Sequence, residues 1–180
     1  MSAAVDSKQF KVLLNQIADQ FAADHKAAIK NHRAAVVGIH SRGAVLAKRI
    51  AEILNKKHGA KVDVGALDIT LYRDDVSEIG NQPLVKESDI PFAIEGKTLL
   101  LVDDVLYTGR TIRAALDALL ELGRPTLIRL AVMVDREGRE LPIRADYCGT
   151  RMTVGPAHKV QLEVKEIDNE EGIWIRKRKS

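Results

Sequence analysis

Apolar residues recur along this chain either at helical spacing or in short unbroken runs. Phe10, Leu13, Leu14, Ile17, Phe21 and Ile29, with alanines between them, put one apolar stripe on a helix spanning the first ~30 residues. The run AAVVGI (34–39) has no polar position and predicts a short buried strand. After HSRG, the spacing of Val45, Leu46, Ile50, Ile53 and Leu54 predicts a second amphipathic helix that stops near Gly59. KVDVGALDIT (61–70) alternates in part and reads as a strand. KTLLLV (97–102) is the clearest buried strand, RTIRAALDALLEL (110–122) a helix stopped by Gly123 and Pro125, and LIRLAVMV (127–134) a further strand. KVQLEVKEID (159–168) alternates and is expected as an edge strand.

Two stretches break the pattern. LYRDDVSEIGNQPLVKESDIP (71–91) carries Gly80, Pro83, Pro91 and many charges with little apolar periodicity. Connections inside compact domains are mostly ~4–6 residues, so a loop this long is expected to be functional, a flap over an active site. DREGRELPIRADYCG (135–149) reads as a loop-rich insertion. Elsewhere strand, helix and strand alternate, which implies an α/β fold with a mostly parallel sheet flanked by helices. At 180 residues a single domain over 1–180 is expected, and no internal repeat or low-complexity segment interrupts it.

Composition removes several classes. No apolar run approaches the ~20 residues of a membrane span, so a membrane protein is excluded. The only cysteine, Cys148, has no internal disulfide partner, and MSAAVDSKQFKVLL lacks the order of a secretory signal; both point to the cytoplasm. A net charge of +3 argues neither for nor against nucleic acid. The basic tail IRKRKS is expected as a solvated, frayed end.

The chemistry concentrates in LLLVDDVLYTGRT (99–111), where an apolar run meets two adjacent carboxylates, Asp103 and Asp104, and then a turn. In open parallel sheets ligands bind beyond the carboxyl ends of strands, where this pair is expected. The turn enters a helix whose first amides are unpaired, so Thr108, Gly109, Arg110 and Thr111 form a candidate phosphate cradle. Adjacent carboxylates repel a phosphate. They can accept hydrogen bonds from vicinal hydroxyls or hold a divalent cation through its waters. Diol plus phosphate a few residues apart describes a ribose 5-phosphate. A purely structural role as strand end and helix cap fits less well, because Arg110 lies six positions beyond Asp104. Neither G-x-x-x-x-G-K-[ST] nor G-x-G-x-x-G after a strand occurs, which excludes those nucleotide motifs.

LLLVDDVLYTGRT resembles the phosphoribosyl pyrophosphate (PRPP) motif of type I phosphoribosyltransferases. Most members carry a small residue at Tyr107; VDDVLYTGRT with a tyrosine is similar to the motif of the pyrimidine operon regulators that are also uracil phosphoribosyltransferases. DITLYRDD (68–75) and DREGRELPIRADY (135–147) resemble the same proteins, so the likeness spans nearly all of 35–147. It implies a type I phosphoribosyltransferase domain with a flexible flap at about 71–92 and a small hood at about 135–158, converting uracil and PRPP to UMP and pyrophosphate with Mg2+.

By the same resemblance Asp103 and Asp104 hold the ribose hydroxyls and, indirectly, magnesium. Val105, Leu106, Tyr107, Thr108, Gly109, Arg110 and Thr111 complete the PRPP contacts. Ser41, Arg42 and Gly43 form a pyrophosphate loop, with a cis non-proline peptide expected at Ser41–Arg42 and His40 structural. Tyr72 and Arg73 of the flap close over the reacting centre and join Asp104 as catalytic residues. In the hood, Val134, Asp135, Arg136 and Ile143 surround the base, read by backbone groups.

The regulators also bind the leader mRNA of pyrimidine operons in response to UMP or UTP. The resemblance sets Arg139 and Arg144, with Lys159 nearby, on an RNA-facing surface. The first helix departs from it, carrying Asn15, Gln16 and Asp19 where those proteins have threonine, arginine and histidine; an aspartate there repels phosphates. A transferase without RNA regulation, or one acting on hypoxanthine or orotate, are the alternatives. The resemblance also implies a homodimer or homotetramer.

Overall fold

The computed structural model describes residues 3–72, 74 and 88–178. Strand β1 (Ala34–Ile39) is buried at all six positions, as an apolar run without a polar residue requires. It lies between β2 (Asp63–Leu67) and β3 (Thr98–Leu106), and β3 pairs in turn with β4 (Leu127–Arg136), which pairs with β5 (Tyr147–Met152). All these pairings are parallel and the strand order is β2-β1-β3-β4-β5. Successive residues of β3 face opposite sides, and both sides are covered. Leu100 and Val102 join Phe10, Ile17 and Phe21 of α1 (Ser7–Asp24) and Leu46 and Ile50 of α3 (Arg42–His58). Leu99 and Leu101 join Ile112, Ala115 and Leu119 of α4 (Arg110–Leu122).

The two ladders of β3 end at different heights. Its pairing with β1 stops at Gly38 opposite Val102, whereas its pairing with β4 continues to Leu106 opposite Asp135. Asp103 and Asp104 therefore lie within the strand rather than beyond its end, a correction to the sequence reading. The extra length is dictated by β4, a neighbour that local periodicity does not reveal. Above Val102 the β1 side of β3 has no partner strand among the described residues, and a crevice opens where the order of strands reverses, the usual place for a ligand in such sheets.

Five other expectations change. The first helix is two: α1 ends at Asp24, and α2 (Lys26–Lys30) starts after His25, whose backbone leaves helical geometry while its ring meets the Tyr147 hydroxyl at 3.1 Å. That hydroxyl also donates to Asp24 at 3.0 Å, so a buried phenol claims the polar groups at the break. β2 is shorter than predicted because the Asp68 side chain accepts the Thr70 amide at 2.8 Å and turns the chain. The insertion after β4 ends in a strand, β5, whose Cys148, Gly149 and Thr150 carry too little apolar pattern to announce it.

The segment expected as an edge strand belongs to no edge of the main sheet. β6 (His158–Glu163) pairs antiparallel with β7 (Gly172–Lys177) in a separate two-stranded sheet, connected by α5 (Lys165–Asp168). β7 includes Ile175, Arg176 and Lys177 of the tail that composition alone assigned to a frayed end. Glu163, buried in β6, accepts a hydrogen bond from Arg176 at 2.8 Å and holds the tail in place. No helix among the described residues is long and apolar enough to cross a membrane.

Candidate active site

The crevice above Val102 is a cleft of about 330 Å³ bounded by the ends of β1 and β3, the turn after β2 and the first turn of α4. On the β1 side the chain enters α3 through a cis peptide, which lies at His40–Ser41, one residue earlier than expected. Arg42 already begins the helix and Ser41 has right-handed helical dihedrals, so the reversal of direction is completed before Ser41–Arg42. Packing there is backbone on backbone. A Cβ on Gly43 would stand 2.6 Å from the Val102 carbonyl oxygen, and one on Gly38 2.2 Å from the Gly43 oxygen. No side chain caps α3, leaving its first amides directed at the cleft's edge.

On the β3 side each aspartate accepts the amide that follows it. Asp103 takes Asp104 N–H at 2.9 Å and Asp104 takes Val105 N–H at 2.8 Å, each with one oxygen. Both line the cleft. Burial pushes the Asp104 carboxyl above its ordinary range, opposed by the Val105 amide and the positive charge of Arg42. Gly109, at φ 97°, turns the chain into α4, which likewise has no side-chain cap. Arg110 N–H reaches Thr108 Oγ1 at 3.3 Å, and Thr111 borders the cleft. Two uncapped helix N-termini thus flank one carboxylate pair, an arrangement suited to a ligand with an anion at each end and hydroxyls between.

Other predicted site residues are engaged elsewhere. The Arg110 guanidinium lies between Asp74 at 2.6 Å and Glu140 at 2.7 Å, which leaves only its main chain available to the expected cradle. Tyr72 rests on α4, its hydroxyl bonded to Glu121 and its carbonyl accepting from Arg113 at 3.1 Å. Arg73 lies outside the described residues. Of the hood residues, Val134 is core, Asp135 is paired with Arg139, Arg136 is only 3% exposed, and Ile143 packs beside Gly109.

None of those four borders a second cleft of about 440 Å³ on the far side of Asp104, whose wall is Lys159, Val160, Gln161 and Leu162 of β6, with Arg42 and Val105 opposite. Sequence reasoning missed this wall. The alternation of KVQLEV marks a strand, but only the β6–β7 pairing brings it to Asp104. Lys159, expected on an RNA surface, borders this cleft. Arg144 is exposed, and Arg139 is tied to Asp135 and to the Tyr107 carbonyl.

Tyr107 gains a physical role. Its ring lies 4.3 Å from the Arg136 guanidinium and 5.9 Å from that of Arg178, and a Cβ on Gly138 would meet its edge at 2.4 Å. The residue fastens the PRPP-like turn to the 135–146 loop and to the C-terminal segment. Tyr107→Ala is expected to cost about 2–3 kcal/mol in urea unfolding, from the lost ring volume and cation–π contacts, with Arg136 Nε already unpartnered. Tyr107→Phe, which keeps the ring, should stay within ~0.5 kcal/mol of the parent. An equal loss in both variants would show that the hydroxyl, not the ring, holds the turn.

The family model described as the phosphoribosyl transferase domain matches residues 7–164. The chain is 56% identical over 144 residues to the Bifunctional protein PyrR of Thermus thermophilus, 80% of each chain being covered. It is 47% identical over 164 residues to the protein of that name from Deinococcus radiodurans, covering 91% of this chain and 88% of the other. Among solved structures, the hypoxanthine phosphoribosyltransferase of Trypanosoma cruzi superposes with a TM-score of 0.74 at 16% identity, over 99% of this chain and 98% of that one, a likeness of fold. A family model over residues 7–164 and relatives at this identity and coverage settle the family: the chain belongs to the phosphoribosyl transferase domain family.

Proposed function

We propose that this protein transfers the ribose 5-phosphate of PRPP to uracil, giving UMP and pyrophosphate, and that it also regulates pyrimidine biosynthesis genes through UMP- or UTP-dependent binding of their leader mRNA. The observation that carries the transfer reaction is the placement of Asp103 and Asp104 between two uncapped helix ends at the one-sided end of the β3 ladder. Identity of 47–57% to proteins named Bifunctional protein PyrR supports the double role.

In this reading the ribose hydroxyls donate to Asp103 and Asp104, and the 5-phosphate sits on the amides of Thr108 to Thr111. The pyrophosphate sits on Ser41, Arg42 and Gly43. The bond from C1′ to pyrophosphate breaks as uracil N1 bonds to C1′ and gives up its proton to the departing pyrophosphate or to water, and the chain contributes position and anion neutralisation. The base occupies the second cleft, against Lys159 to Leu162. Among the described residues no group of three or more carboxylates, histidines or cysteines could cage a metal, but two adjacent carboxylates suit a magnesium that keeps most of its waters. When bound, that ion neutralises charge on the pyrophosphate.

For the RNA role, Asp19 is less adverse than its charge alone suggests, because the Lys57 ammonium bonded to it offsets that charge, with His58 on its other oxygen. We place the protein in the cytoplasm, as a homodimer or homotetramer.

Pyrophosphate release from PRPP tests the reaction, with uracil, hypoxanthine and orotate offered separately. Turnover on uracil is expected, and turnover on hypoxanthine or orotate without uracil overturns the assignment. A UMP-dependent mobility shift of the source organism's own pyrimidine leader RNA at low salt tests the regulatory role, and no shift leaves a transferase alone.

A further inference from the structure

Arg42 opens α3 and borders both clefts, yet its guanidinium is not free to turn. Asp168 of α5 holds it from the side: Nε donates to Oδ2 at 3.0 Å and Nη2 to Oδ1 at 2.6 Å. A carboxylate in that position uses one edge of the fork. The other edge, Nη1 with the second proton of Nη2, has no hydrogen bond among the described residues and can meet a second anion in bidentate fashion.

Asp168 is itself fixed. Its Oδ2 also accepts the Val164 amide at 2.9 Å. The connector that carries it grips α3 again two turns along, on the same face: Arg49 is bonded to Glu166 and to Glu171. The acidic connector of the β6–β7 sheet is therefore anchored at two points of one helical stripe, with Arg42 at the end nearer the cleft. An arginine without such a brace would have to give up the freedom of several rotatable bonds each time an anion bound. One so braced presents its open edge in advance.

We propose that Asp168 is a positioning residue for the transfer reaction, holding Arg42 so that the unused edge of its guanidinium receives the pyrophosphate of PRPP. This rests on the reading of Ser41 to Gly43 as the pyrophosphate loop. The opposite role, a carboxylate that competes with pyrophosphate for Arg42, is disfavoured because the two anions would use different edges of the fork.

The test is a cycle of four proteins: the parent, Asp168→Asn, Arg42→Ala and the double variant. Asn at 168 can still accept the Val164 amide but turns an amide group toward Arg42 and removes the charge. Calorimetry with magnesium pyrophosphate gives Kd, and steady-state kinetics give KM for PRPP and for uracil. Asp168→Asn is expected to raise the pyrophosphate Kd and the PRPP KM about tenfold, the size of one charge-assisted hydrogen bond, while the uracil KM stays within about twofold. In the Arg42→Ala background the same substitution should change nothing further, because the effect passes through Arg42.

Equal losses in both backgrounds, which a general loosening of the fold would produce, overturn the proposal. So does unchanged or tighter pyrophosphate binding in Asp168→Asn when Arg42→Ala binds weakly. If Arg42→Ala alone leaves pyrophosphate affinity intact, the pyrophosphate-loop reading fails, and the proposal with it.

Discussion

Asp104→Asn is expected to lower kcat/KM for PRPP by about 10²–10³ and at the same time to raise the melting temperature. The first effect follows from the place of the carboxylate. With one oxygen accepting the Val105 amide, the remaining acceptor capacity faces the cleft beside Asp103. Asn keeps the internal bond but offers less negative charge to ribose hydroxyls and to a hydrated magnesium, and losses of a single electrostatic contact to a transition state are of this order.

The second effect follows from the same burial. Desolvation holds the Asp104 carboxyl above its ordinary range, so the fold disfavours its ionised form, and between its unfolded and folded pKa the native state keeps a proton that the unfolded chain releases. Above both, the ionised group lowers stability, so removing its charge should raise the melting temperature measured there. Calorimetry and pyrophosphate-release kinetics on the same preparation read both. A variant that keeps a tenth or more of kcat/KM would remove Asp104 from the reacting centre, and a lower melting temperature would mean that its charge is favourably held in the ligand-free protein.

Gly38→Ala carries the largest expected loss of stability. Its Cβ would stand 2.2 Å from the Gly43 oxygen and 2.5 Å from the Gly43 carbon and the Ala44 Cα, all backbone atoms that no rotamer change can move. β1 and α3 would have to separate, against the buried packing of Val36 and Leu46. Overpacking that flexible side chains absorb costs 1–3 kcal/mol, so this rigid contact should cost about 3 kcal/mol or more and lower the melting temperature by roughly 6–12 °C. Pyrophosphate affinity should fall too, because the strand can recede only by displacing Ser41 to Gly43.

Gly59→Ala is the matching control. Gly59 has φ 60° and an added methyl would meet nothing within 4 Å, so only its backbone preference is opposed, at about 1 kcal/mol. Equal losses at the two positions would mean that β1 and α3 have more slack than their contact implies.

Several elements were legible because their signal is local. β1 and α4 are a short unbroken apolar run and a helical stripe with a glycine stop, and the structure has them where the pattern put them. The carboxylate pair and its turn were equally readable, since strand, acids and helix start are contiguous. What escaped depends on partners distant in sequence. The length of β3 is set by β4, the destination of β6 by β7, and the break after Asp24 by Tyr147. Tyr107 stood out at once as a large residue in a turn of small ones, but its reason lies with Arg136, Gly138 and Arg178, none adjacent to it. The resemblance places Tyr72 at the reacting centre and Arg110 in the phosphate cradle; in the structure the Tyr72 hydroxyl bonds to Glu121 of α4 and the Arg110 guanidinium bridges Asp74 and Glu140.

The separate β6–β7 sheet has a bearing on how such proteins diversify. Its strands share no hydrogen-bond ladder with the five that carry the aspartates and the two anion-binding helix ends. Changes at Lys159 or Gln161 can therefore reshape one wall of the second cleft without breaking a ladder of the main sheet, whereas Leu162 packs into the core with Val102 and Val134. A division of that kind lets a cleft wall vary by substitution while the ladder that sets Asp103 and Asp104 stays as it is.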